Sequence, residues 1–119
     1  MKQVLVIDDE PGIANLVSWC LDPLGVGVVL ASGLESALDV ASKEDIGLVL
    51  LDFDLGDEDG MEILPRLREA PTLRTVPFVA FTAHDSRRQE AFAGGVVSFI
   101  GRPFASADLC STVELHLVR

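Results

Sequence analysis

Residues 48–64, LVLLDFDLGDEDGMEIL, set an unbroken apolar run against a dense acidic loop. Leu48–Leu51 ends on Asp52, and the loop closes with Asp59-Gly60 before a helical pattern resumes. A run that is continuous rather than alternating suits a strand covered on both faces, as in parallel sheets. Working outward, Val4–Ile7 ends on Asp8-Asp9, Phe78–Phe81 on Thr82, and Val96–Ile100 reaches Arg102-Pro103 one residue later. With a further run near Val26, strands are expected to begin near Val4, Val26, Leu48, Val76 and Val96. If these strands are parallel in one sheet, their polar ends collect at its carboxyl edge, where open α/β sheets hold ligands.

The intervals leave room for a crossover helix each time. The span 11–24 has Pro near its first turn and stops at Gly25, and 34–42 carries apolar residues at Leu34, Ala37, Leu38 and Ala41. Helices are also expected over 61–70, with Pro65 bending or delaying it, over 87–93, and over 106–118 with Ser106 as its cap. The expected fold is one α/β domain over residues 1–119, a doubly wound, five-stranded parallel sheet. Right-handed crossovers restrict the strand order. The flavodoxin-like order 2-1-3-4-5 has its switch point between strands one and three, where Asp8, Asp9 and Asp52 would meet.

A chain of 119 residues, 49% hydrophobic, suffices for one closed core. Nineteen acidic against nine basic residues give a net charge of −10, which disfavours direct binding to nucleic acid. Cys20 and Cys110 show no metal-ligand spacing and read as small buried hydrophobes. No run has the length of a membrane span, and Met-Lys-Gln leads straight into a strand rather than a signal peptide. The expectation is a soluble, cytoplasmic chain without a membrane partner.

Three carboxylates crowded together repel, and one would normally stay protonated unless a divalent cation joins them. Mg²⁺ takes oxygen ligands and keeps positions open for phosphate oxygens. Asp9 and Asp52 are therefore candidate ligands, with Asp8 acting through a water. Thr82 and Arg102 would complete a pocket for a phosphoryl group, with Asp52 as the nucleophile that becomes an acyl phosphate.

The segments VLVIDDE, LVLLDFDLGDEDGMEIL, VAFTA and SFIGRPF resemble, in order and spacing, the receiver domain of bacterial two-component response regulators. The resemblance implies phosphorylation of Asp52 by a histidine kinase or phosphotransfer protein. It also implies Mg²⁺ on Asp9, Asp52 and the backbone carbonyl of Asp54, with Thr82 and Phe99 as switch residues. Such a domain catalyses only its own phosphorylation and dephosphorylation. The surface of the fourth helix, fifth strand and fifth helix would switch and could pair two copies. Kinases dock on the first helix in this family, which makes Ile13 and Leu16, with Pro103 and Phe104, the expected partner surface. His84, two residues past Thr82, reads as a surface-loop histidine at the pocket rim.

The chain departs from the family in having Arg102 where a lysine is usual, and Gly56 where proline is frequent. Arginine is a planar fork on a longer stem, whereas lysine is a compact point charge. Arg102 could engage Asp52 in bidentate fashion or clamp it in an unresponsive state. The latter is the alternative of a degenerate receiver that binds partners without phosphorylation. A haloacid dehalogenase-like phosphatase, with Asp52 attacking and Asp54 as acid, fits the Asp-x-Asp alone but lacks the downstream equipment.

Overall fold

The computed structural model describes residues 2–83 and 85–118; His84, assigned above to the pocket rim, lies outside the described residues. Five parallel strands form one sheet: β1 (Gln3–Ile7), β2 (Gly27–Ala31), β3 (Ile46–Leu51), β4 (Phe78–Thr82) and β5 (Ser98–Gly101). Their order is β2-β1-β3-β4-β5, the doubly wound arrangement expected from the sequence. The helices are α1 (Ile13–Leu21), α2 (Leu34–Lys43), α3 (Gly60–Glu69), α4 (Arg88–Ala93) and α5 (Ser106–His116).

Alternation along each strand divides the core into two layers. Val4, Val6, Leu48, Leu50, Val79, Phe81 and Ile100 meet Ile13, Val17 and Leu21 of α1 and Leu109 and Val113 of α5. The intervening residues Leu5, Ile7, Val49, Leu51, Phe78, Ala80 and Phe99 meet α2, α3 and α4 through Ala37, Ala41, Ile63, Leu64, Leu67 and Ala91. Both faces of β3 are buried, which explains why its run is continuous rather than alternating. Burying one such side chain contributes roughly 1.5–3 kcal/mol, so each layer fixes its helices firmly.

The helix boundaries depart from expectation in physically sensible ways. The first helix ends at Leu21, and Asp22–Leu24 continues as a 3-10 turn because Pro23 has no N–H to give. Gly25, at φ 67°, closes that turn in the left-handed region. Helix α3 is not delayed by Pro65 but runs through it from the Asp59 cap, whose carboxylate accepts the Met61 N–H at 2.9 Å. Ser106 is the first residue of α5, and Ala105 takes the cap position instead. Cys20 and Cys110 are half-buried free thiols, and the Cys110 thiol donates to the Cys20 carbonyl at 3.1 Å.

Candidate functional site

Register brings the acidic strand ends together. Ile7 of β1 pairs with Leu51 of β3, and the Asp52 N–H extends that ladder to the Ile7 carbonyl at 3.0 Å. The Asp8 N–H likewise reaches the Ala31 carbonyl at 2.9 Å. Asp8 and Asp52 therefore emerge side by side at the carboxyl edge. Carboxylate oxygens of Asp8, Asp9 and Asp52 all lie within 4.8 Å of one another, a grouping able to hold a metal ion. Across β3, Thr82 ends β4 opposite Gly101, and the Arg102 N–H donates to the Thr82 carbonyl at 3.2 Å. These groups line one cleft of about 440 Å³, with Asp8, Asp9, Glu10, Asp52, Asp54, Thr82, Arg102 and Pro103 in its wall.

The charges in this cleft are partly matched. Asp8 is 1% exposed. Its Oδ1 accepts the Glu10 N–H at 2.8 Å and its Oδ2 is ion-paired with Arg102 Nη2. Arg102 Nη1 lies 3.3 Å from Glu10 Oε2, while Nη2 stands 3.9 Å from Asp52 Oδ2. The guanidinium stacks over the Phe81 ring, 4.3 Å from its centroid, a cation–π geometry. The Asp54 N–H donates to Asp52 Oδ1 at 3.3 Å. Burial pushes the Asp52 carboxyl above its ordinary value, and the nearby Asp8 charge adds to the rise. The Asp54 N–H, the Arg102 charge and the Thr82 hydroxyl oppose it without cancelling it.

The loop after Asp52 makes a small antiparallel hairpin, Asp54–Leu55 with Glu58–Asp59, before α3 begins. Gly60 is required at the turn into α3, because a Cβ there would overlap the Asp52 carbonyl oxygen and crowd the Phe53 Cα. Glu58 Oε1 accepts the Leu34 N–H at 3.1 Å, tying the hairpin to the first turn of α2.

The other expected residues are distributed around the cleft. Phe99 is buried outside it and meets Phe53 edge-on at 6.3 Å between centroids. Pro103 is exposed at the rim, and Phe104 packs edge-on against Phe81 at 5.1 Å. One partner-surface expectation needs correction: Ile13 is only 6% exposed, because Ile13, Val17 and Leu21 form the buried stripe of α1. Leu16, at 44%, does face outward, beside Trp19.

Sequence reasoning missed Arg87. Its guanidinium grips Asp59 at 2.7 and 3.1 Å, holds Glu90 at 2.7 Å and lies 5.4 Å from the Phe53 ring centroid. These acids hold the Arg87 guanidinium well above its ordinary value. It thereby ties the segment leaving β4 to the segment leaving β3. No local pattern announces such a contact between loops.

Residues 4–114 match the family model described as the response regulator receiver domain. The chain is 30% identical over 115 residues to an uncharacterized 14.6 kDa protein in the sodA1 3′ region of Leptolyngbya boryana, covering 95% of this chain and 88% of that one. It is also 30% identical over 116 residues to the alginate biosynthesis transcriptional regulatory protein AlgB of Pseudomonas aeruginosa, covering 97% of this chain but only 24% of AlgB. Among solved structures, the response regulator TrrA of Thermotoga maritima, in complex with Mg²⁺-BeF, superposes with a TM-score of 0.84 at 26% identity. That alignment covers 98% of this chain and 100% of TrrA. No helix among the described residues is long and apolar enough to cross a membrane. The chain belongs to the receiver domain family of two-component response regulators, a signalling domain rather than a classical enzyme.

Proposed function

We propose that residues 1–119 form one cytoplasmic receiver that accepts a phosphoryl group on Asp52 from a histidine kinase or phosphotransfer protein. The observation that carries this reading is the meeting of three acids from two strand ends in one cleft with Thr82 and Arg102. Asp9, Asp52 and the Asp54 carbonyl would hold Mg²⁺, with Asp8 acting through a water; an all-oxygen donor set suits that ion. When bound, Mg²⁺ would neutralise charge between the carboxylates and the incoming phosphoryl oxygens.

The chain's own residues supply the rest. A carboxylate oxygen of Asp52 forms the new O–P bond as the N–P bond of a phosphohistidine breaks, its electron pair leaving on the imidazole nitrogen. The Asp54 N–H positions the attacking carboxylate, and the Thr82 hydroxyl and Arg102 guanidinium donate to the phosphoryl oxygens. Phe99, packed on Phe53 next to Asp52, would carry the change to the surface of α4, β5 and α5, through which two copies could pair. Leu16 on α1, with Pro103 and Phe104, would receive the phosphodonor partner.

Acetyl phosphate tests the proposal. With Mg²⁺, intact mass should show one added phosphoryl group, lost with EDTA and in Asp52→Asn. An unmodified wild type, or a modified Asp52→Asn, would refute it. A second reading, a partner-binding module without a phosphoryl cycle, is favoured only by Arg102 lying closer to Asp8 than to Asp52. That module would bind no beryllofluoride in the presence of Mg²⁺. The phosphatase alternative falls with the family assignment.

A further inference from the structure

We infer that Cys20 and Cys110 form a reversible modification site, closing to an intramolecular disulfide when a hydroperoxide such as hydrogen peroxide reaches them. The two cysteines are 90 residues apart in sequence, yet α1 and α5 bring them together. Both helices cover the same layer of the core, and both cysteines pack at its margin. Cys110 Sγ lies 3.1 Å from the Cys20 carbonyl oxygen, an atom two bonds from the Cα that carries the other thiol. A disulfide sets its Cβ atoms about 3.5–4.5 Å apart. Rotation of the two side chains about χ1 therefore brings sulfur to sulfur with both helices left in place.

Both thiols are half-buried rather than sealed in the core, so a small oxidant reaches them. Burial pushes the Cys110 thiol up, the neighbouring Cys20 adds to the rise, and the Cys110 proton is held on the Cys20 carbonyl. Cys20 is therefore the sulfur that meets the peroxide. Its thiolate attacks one peroxide oxygen and the O–O bond breaks, giving a sulfenic acid. The hydroxide that leaves takes up the Cys20 thiol proton as water. Cys110 then attacks the oxidised sulfur: the S–S bond forms, the S–O bond breaks, and the hydroxyl departs with the Cys110 proton as a second water. Two electrons pass from sulfur to oxygen. No other thiol of the chain competes, since these are its only cysteines. A thiol reductant reopens the bond by exchange, and cytosolic disulfides are characteristically of this transient, redox-sensing kind. The bond would staple α1, whose outer face carries Leu16 and Trp19, to α5. Neither cysteine lines the acidic cleft, so the inference stands apart from the phosphoacceptor reading.

Hydrogen peroxide added to the reduced wild-type chain, followed by intact mass and by alkylation of the remaining thiols, tests this. A monomer lighter by two hydrogens is expected, with both thiols protected, Cys20 linked to Cys110 in the peptide map, and all of this reversed by dithiothreitol. Two thiols still free, sulfurs oxidised further without a crosslink, or a disulfide-linked dimer in place of the internal bond would each overturn it. In Cys110→Ser the reaction should stop at the sulfenic acid of Cys20, trapped as a dimedone adduct; no adduct there would overturn the assignment. Because the crosslink closes a long loop of the unfolded chain, the oxidised wild type should melt about 10 °C above the reduced form. A crosslinked form that melts lower would show that the helices are forced together, and would overturn the fit.

Discussion

Replacing Arg87 with methionine tests whether the clasp between the β3 and β4 loops is a structural element of the site. Methionine keeps an unbranched apolar stem but removes two charge-assisted bonds to Asp59, one to Glu90, and the cation stacked on Phe53. The Arg87 and Asp59 side chains are 29% and 35% exposed, so water and salt discount their attraction. Exposed pairs contribute about 0.2–1 kcal/mol, and bidentate geometry places this one near the top of that range. Stacking on Phe53 adds about 0.5 kcal/mol. With about 0.3–0.5 kcal/mol more from the i,i+3 pair with Glu90, the total loss is about 1.5–2 kcal/mol, which for a chain of this length lowers Tm by roughly 6–8 °C. The assay is urea unfolding of Arg87→Met, Asp59→Asn and the double variant. Asparagine at 59 still caps α3, so the cycle isolates the ion pair. A coupling of about 1 kcal/mol that shrinks in high salt is expected. Coupling below about 0.3 kcal/mol, within the error of additivity, would show that the clasp holds nothing together.

Two other substitutions probe the ground under Asp52. In Gly60→Ala the new methyl group meets only backbone, the Asp52 carbonyl and the Phe53 Cα, so relief requires moving the segment that carries the acceptor. It should cost about 1–3 kcal/mol, read as a lower urea midpoint at unchanged slope, and a midpoint equal to wild type would contradict the close approach. Asp52→Asn should stabilise the protein in EDTA at neutral pH. The folded-state pKa of Asp52 is raised, so the native state binds a proton more tightly than the unfolded chain. Native stability therefore falls as pH rises from the ordinary carboxylate range through the raised value, and the charged form carries the penalty above it. The advantage of asparagine should be full above that window and vanish at acid pH. An advantage that grew on acidification would reverse the argument.

The sheet was legible because its signals are local and repeated. Each strand is a short apolar run, and the residue that ends it is polar for a reason the register supplies: Ile7 opposite Leu51 makes Asp8 and Asp52 neighbours. The apolar face of α1 was harder to read. Ile13, Leu16, Val17, Trp19 and Leu21 leave two plausible stripes, and only packing on Val4, Val6, Leu48 and Leu50 selects Ile13, Val17 and Leu21. Caps were mixed: Asp59 is both an acid of the loop and the cap of α3, whereas Ser106 lost its expected place to Ala105. Arg87 and Glu58 were invisible because their partners, Asp59 and the Leu34 N–H, lie 28 and 24 residues away.

The direction of Arg102 was beyond sequence for a different reason. Three carboxylates, Asp8, Glu10 and Asp52, lie within its reach, and spacing alone gives each an equal claim. Burial and existing donors break the tie. Glu10 keeps most of its hydration and has the least need of a counter-ion. Asp52 is buried, but the Asp54 N–H and the Thr82 hydroxyl already serve it, and its raised pKa offers a proton as a further way to shed charge. Asp8 is the most deeply enclosed, and the Glu10 N–H satisfies only one of its two oxygens. A carboxylate so enclosed, with one oxygen left without a backbone donor, has the greatest need of a counter-ion, so the guanidinium settles there.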